Sequence, residues 1–121
     1  MAHILGLYRM LVTVVQTSEF LRAAKAVMTE AEREALVDLL AADPEAGISL
    51  GGGLRKLRIA RDGGGKSGGY RSIHFYAPGR GLPVFLLTVF AKNDRDNLTS
   101  AEAAQMQAYG DRIAKTYGRQ S

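Results

Sequence analysis

The chain predicts an α+β fold: an antiparallel sheet of about four strands, two N-terminal helices packed on one face, and a C-terminal helix. Three observations carry this. Apolar residues switch between helical spacing and strand alternation along the chain. Two Thr-x-x-Glu runs, Thr29 to Glu32 and Thr99 to Glu102, are capping boxes that mark helix starts. Glycine and proline clusters then separate three β-rich runs whose short connections suit an antiparallel meander.

Residues 11–17 (LVTVVQT) are short and rich in β-branched side chains, which predicts a strand. Thr17 or Ser18 then caps a helix with Phe20, Leu21, Ala24, Val27 and Met28 at helical spacing. The box at Thr29 opens a second helix burying Leu36, Leu39 and Leu40. That helix must end before Pro44, because proline disfavours helical geometry in the residue preceding it. Gly51-Gly52-Gly53 breaks the chain. Residues 54–61 alternate, with Arg55, Leu57, Ile59 and Arg61 on one face and Leu54, Lys56, Arg58 and Ala60 on the other. After a glycine-rich turn at 62–69, strands are expected at 70–77 and 84–91. The last, VFLLTVFA, is apolar on both faces and so interior to the sheet. A final helix from Thr99 carries Met106, Tyr109, Ile113 and Tyr117 on one face. Helices would cover one sheet face and leave the other to Lys56 and Arg58.

The formal charge of +4 over 121 residues hides a polarised molecule. Residues 54–80 hold Arg55, Lys56, Arg58, Arg61, Lys66, Arg71 and Arg80 against Asp62 alone, a net +6. Residues 18–46 hold seven acids against three bases, a net −4. A concentrated cationic face suits a polyanion, because each phosphate neutralised releases a condensed counterion. Nucleic acid is therefore the expected partner. The chain has no cysteine, which excludes disulfides, iron–sulfur clusters and thiolate zinc sites. His3 and His74 lack carboxylates at metal-ligand spacing, so no metal and no other cofactor is expected. No apolar run approaches the ~18 residues of a membrane span, and MAHILGLYR does not read as a signal peptide. A cytoplasmic protein of one domain, without a membrane partner, is the expectation.

Residues 60–67 (ARDGGGKS) match a permissive phosphate-loop pattern. That mechanism needs a helix after the loop, whereas Gly68-Gly69-Tyr70-Arg71 begins a strand, so nucleotide hydrolysis is rejected. The glycines serve as hairpin punctuation or let a polyanion approach the backbone beside Lys66. Lys56 and Arg58 project from one strand face, with Arg71 on the next strand and Lys92 at the end of the third. Such cations repel one another unless an anion sits between them, which points to a phosphate site. Strict alternation groups Arg71 with Ile73 and Phe75, and His74 with Ser72 and Tyr76. Either Arg71 leaves from a bulge beside Gly68-Gly69, or the polar patch uses His74. His74 is a packed strand histidine or a proton carrier.

The runs GGLRKLRIAR, GKSGGYRSIHFY and VFLLTVFAKNDRDNLT resemble the RelE/ParE superfamily of bacterial toxins, nearest the HigB-like branch of RelE toxins. The similarity extends from about Met10 to the end, which makes 10–121 a single RelE-like toxin domain and 1–9 a leader or alternative start. The resemblance implies a small RelE-like fold and a cognate antitoxin encoded by an adjacent gene. In the RelE branch it further implies metal-independent cleavage of mRNA on the 70S ribosome, by attack of the 2′-OH on its own 3′-phosphate. Lys56 and Arg58 then match the paired strand cations, and Arg71 matches the arginine of the following G-Y-R. Lys92 stands near the strand end where RelE has a further Lys-Arg pair, with Asn93 in place of the arginine. Phe90 replaces the tyrosine of the Tyr-Ala-Lys-Asn run found in many HigB-like chains, and a final-segment tyrosine has no secure counterpart. The candidate catalytic set is Lys56, Arg58, Arg71, Lys92 and His74, with Arg55, Arg61, Lys66 and Arg80 as RNA-binding cations. Two other readings stand beside it: a ParE-like gyrase inhibitor without chemistry of its own, and an inactive RNA-binding relative.

Overall fold

The computed structural model describes residues 11–60 and 69–120. Five strands and three helices follow in the order β1 (Val14–Gln16), α1 (Ser18–Val27), α2 (Glu30–Ala42), β2 (Ile48–Gly51), β3 (Leu54–Ile59), β4 (Tyr70–Phe75), β5 (Val84–Ala91) and α3 (Ser100–Gln120). The sheet order is β1-β5-β4-β3-β2. The α+β class, the helical pair and the C-terminal helix follow the sequence expectation. The sheet differs in two respects. It has five strands, and it is mixed, because β1 pairs parallel with β5 while the other pairings are antiparallel.

The additional strand is β2, made by the glycine run read as a break. Gly51 pairs with Leu54 around Gly52-Gly53, whose φ values of +62° and +90° favour a two-residue hairpin turn. Any residue with a side chain at Gly53 would also press on Phe75, 2.9 Å from the added carbon.

Helix starts follow the capping chemistry. Thr17 caps α1, accepting from the Phe20 N–H at 3.1 Å while its hydroxyl donates to the Leu86 carbonyl at 2.8 Å. That one side chain ties the helix start to β5. Thr29 and Glu32 form the reciprocal box of α2, and Thr99 and Glu102 make the same pair of bonds before α3.

Two cores result, one on each side of the sheet. Phe20, Ala24, Leu36 and Leu40 of the helical pair pack on Tyr70, Val84, Leu86 and Val89. On the other side Leu54, Ile73, Phe75, Phe85, Leu87 and Phe90 meet Ala114, Met106, Tyr109 and Ile113 of α3. Burial of each large apolar side chain contributes roughly 1.5–3 kcal/mol. The α3 helix lies close because residue 110 is glycine: an added Cβ would sit 2.4 Å from the Phe75 ring. The second sheet face is therefore not bare, as the sequence suggested. The α3 helix covers part of it, and the end carrying Arg58 is left open.

Candidate functional site: a cationic corner of the sheet

Antiparallel register decides which cations share a face. Arg58 is the direct partner of Arg71, Lys56 of Ile73, and Leu54 of Phe75. Directly opposed residues project to the same side. Lys56, Arg58 and Arg71 thus belong to one face, together with the apolar residues that meet α3. No bulge is needed beside Gly69. The bulge lies instead in β5, where Ile73 pairs with Thr88 and His74 with Leu86. It returns Phe90, the partner of Arg71, to the same face, where Phe90 joins the α3-side core. The expected conflict between Arg71 and its strand parity dissolves because a single face is apolar at one end and cationic at the other.

The three cations differ in exposure. Arg58 is exposed, whereas Lys56 and Arg71 are only 4% and 6% exposed. Both reach the β5–α3 loop. Arg71 donates from Nε and Nη2 to one oxygen of Asp96, at 2.8 and 2.7 Å, and Lys56 Nζ donates to the Asp96 backbone carbonyl at 3.2 Å. The Asp96 carboxyl is held below its usual range, first by the Arg71 hydrogen bond, then by the fields of Arg71, Lys56 and Arg58. Asp96 is the residue that sequence reasoning missed. Its only signal was its place at the head of Asp96-Asn97-Leu98-Thr99, in the run that carries the family resemblance, 25 positions from the arginine it meets.

The loop is itself fixed. Arg95 donates to both carboxylate oxygens of Glu102, at 2.6 and 2.7 Å, and lies over the Phe90 ring at 4.6 Å. Hydrogen bonding from Arg95 holds the Glu102 carboxyl down to about 2. Lys92 starts the loop at the same end of the sheet, its N–H donating to the Gly69 carbonyl at 3.0 Å, and its side chain is exposed. Gly69 has no room for a side chain: an added Cβ would lie 2.7 Å from the Ile59 carbonyl oxygen.

Three sequence candidates belong elsewhere. His74 lies on the opposite face, fully buried, with Nε2 donating to the Pro44 carbonyl at 2.9 Å. Burial pushes its pKa down to about 4, and it is a packed histidine with no access to the cationic corner. Its partner Arg55 donates to the Gly47 carbonyl at 2.9 Å and so pins the segment entering β2. Arg80 is exposed in the β4–β5 turn, at the other end of β4 from Arg71. Arg61, Lys66 and the 1–9 segment lie outside the described residues.

Among the described residues no cluster of His, Asp or Glu is arranged to hold a metal ion, and no helix is long and apolar enough to cross a membrane. Among the described residues three cations, Lys56, Arg58 and Arg71, act on the one carboxylate of Asp96. A family model described as the RelE toxin of the RelE / RelB toxin-antitoxin system matches residues 12–120.

Proposed function

The chain belongs to the RelE toxin family of toxin-antitoxin systems, and we propose that it is a ribosome-dependent endoribonuclease of the HigB-like kind, acting on mRNA without a metal. The observation that carries the reading is the corner formed by Lys56, Arg58 and Arg71, three cations on one face at one end of the sheet.

The chemistry suits such a corner. The 2′-oxygen of the RNA attacks the adjacent phosphorus, the bond from phosphorus to the 5′-oxygen breaks, and a 2′,3′-cyclic phosphate and a 5′-hydroxyl result. One proton leaves the attacking oxygen and one is supplied to the departing oxygen. Between these events the phosphorane gathers negative charge, and cations fixed in advance lower its energy without reorganising at the moment of reaction. Arg71 and Arg58 supply fork-shaped donors suited to phosphate oxygens, and Lys56 supplies a point charge. Lys92, exposed at the same edge, serves the flanking backbone. A RelB-type antitoxin is the protein partner, the ribosome presents the message, and the site of action is cytoplasmic.

Purified protein incubated with translating ribosomes and message, followed by primer extension, tests the reading. New 5′ ends that depend on ribosomes and disappear in Arg58→Ala are expected. Intact message together with inhibition of DNA gyrase would replace the reading with a ParE-like one. RNA binding without cleavage would make the chain an inactive relative.

A further inference from the structure

We propose that Asp96 is an internal stand-in for the RNA phosphate: its carboxylate holds the Arg71 fork ready in the free protein and is exchanged for a phosphate when RNA binds. This deepens the ribonuclease reading and rests on it.

The argument begins with exposure. Lys56 and Arg71 are almost wholly buried, so neither can meet a polyanion while the loop keeps its present contacts. The Asp96 side chain, in contrast, is 56% exposed. A phosphate arriving from solvent therefore encounters Asp96 before it encounters Arg71. The two groups that Asp96 engages are also the two inner cations of the corner, one through its carboxylate and one through its carbonyl.

Geometry then favours exchange. Arg71 directs Nε and Nη2 at the same carboxylate oxygen, Oδ1. A guanidinium fork is best matched by two oxygens, one for each N–H, as a phosphate provides. The internal anion thus occupies the fork with a one-oxygen contact that a phosphate can improve. Charge points the same way, because Arg58 is exposed, joins none of these contacts, and stands directly opposite Arg71. Two opposed cations on neighbouring strands destabilise the sheet unless an anion screens them. Asp96 screens them in the free protein, and RNA would do so in the complex. Asp96 is accordingly a positioning residue: it keeps Arg71 extended across the face while costing affinity for competing anions.

A 2′-O-methyl RNA oligonucleotide, which cannot attack its own phosphate, provides the probe. Its affinity for the full chain is measured by fluorescence anisotropy at one fixed salt concentration, since phosphate contacts are salt-dependent. Asp96→Asn keeps the shape of the loop but removes the competing charge, and roughly tenfold tighter binding is expected, about the effect of one charge-assisted bond. Asp94→Asn makes the same change in net charge two residues away and should stay within about twofold of the parent. In the Asp96→Asn/Arg71→Ala double variant the gain should vanish, because it acts through Arg71. If Asp96→Asn binds no more tightly than the parent while Arg58→Ala and Arg71→Ala weaken binding, the exchange is overturned and the RNA reading survives. A gain that persists without Arg71 also overturns it. If parent, Arg58→Ala and Arg71→Ala all bind the oligonucleotide equally, the RNA reading falls and the exchange with it.

Discussion

Arg58 and Arg71 are direct partners across β3 and β4, two guanidinium side chains on one face, and the carboxylate of Asp96 lies in the field of both. The pair differs in what it gives the fold. Arg71 is buried and bonded to the loop, whereas Arg58 is exposed and joins none of the loop contacts. Function and stability should therefore separate between the two.

Arg58→Ala is expected to reduce ribosome-dependent cleavage by about 10²–10³-fold, the usual effect of deleting one preorganised donor to a developing anion. Its melting temperature should match the parent within error. Primer extension and a thermal melt on the same preparation check both halves, and a variant that cleaves normally would remove Arg58 from the site.

Lys56→Ala and Arg71→Ala should lower both activity and stability. Each deletes a buried side chain that holds the β5–α3 loop, and Arg71→Ala also strips Asp96 of its partner. A loss of about 1–3 kcal/mol is expected for each, read from urea unfolding. Arg71→Lys retains the charge without the fork and should recover stability better than cleavage. Equal recovery of both would make the role of Arg71 one of charge alone.

The pattern explains which parts of the molecule were legible in the sequence. Capping boxes, the helical pair and the interior strand 84–91 are local features, and local chemistry is written in adjacent residues. The β2 strand was not legible because ISLG is short and mostly exposed, and its pairing depends on positive-φ glycines. Alternation groups Arg71 with Ile73 and Phe75, and the register agrees; neither a bulge beside Gly69 nor a patch built on His74 is needed, because one face is apolar at one end and cationic at the other. Here α3 covers Leu54, Ile73 and Phe75 but leaves Arg58 open. Alternation had already separated Arg55 from Lys56, and the register agrees: Arg55 goes with His74, away from the corner. Asp96 could not be found by any local rule, since its meeting with Arg71 is a tertiary contact between a loop and a strand.

His74 gives a pH signature for the fold. Its Nε2 proton goes to Pro44, so the neutral ring is the form the interior accepts, and Nδ1 is buried with no hydrogen-bond partner among the described residues. The folded pKa of about 4 lies below the ordinary 6.5. Its contribution is therefore fully present above pH 6.5 and is lost as pH falls toward 4, where the unfolded chain takes up a proton that the fold resists. About 3 kcal/mol is at stake across that window. Urea unfolding at pH 7.5 and 4.5 should show the loss, and His74→Gln should flatten it without altering the pH profile of cleavage. A changed cleavage profile would return His74 to the catalytic set.

The fit of α3 against the sheet predicts a strong effect at an apparently mild position. Gly110→Ala would place a carbon 2.4 Å from Phe75 Cδ2, so helix or ring must shift. Overpacking of this kind costs about 1–3 kcal/mol. Trimming the ring with Phe75→Leu in the same chain should recover part of the loss, because the two side chains compete for one space. Thermal melts of the two singles and the double test this. Strict additivity would show that the close approach is not the source of the strain.

Neutralisation by the antitoxin should depend on the same corner. Among the described residues the corner sets three cations against the one carboxylate of Asp96, and the toxin of a RelE / RelB pair must be silenced by its partner. An acidic segment lying over or beside the sheet meets both needs. Complementary charge mainly accelerates encounter, so the association rate should fall as salt rises while dissociation changes little. Arg58→Ala should lower the low-salt rate and leave the high-salt rate nearly unchanged, since Arg58 is the exposed member of the cluster. Stopped-flow or surface-based association measurements from low to high salt would show this directly. A rate constant across that range, for parent and variant alike, would mean that the basic corner does not steer the antitoxin and that recognition rests on shape.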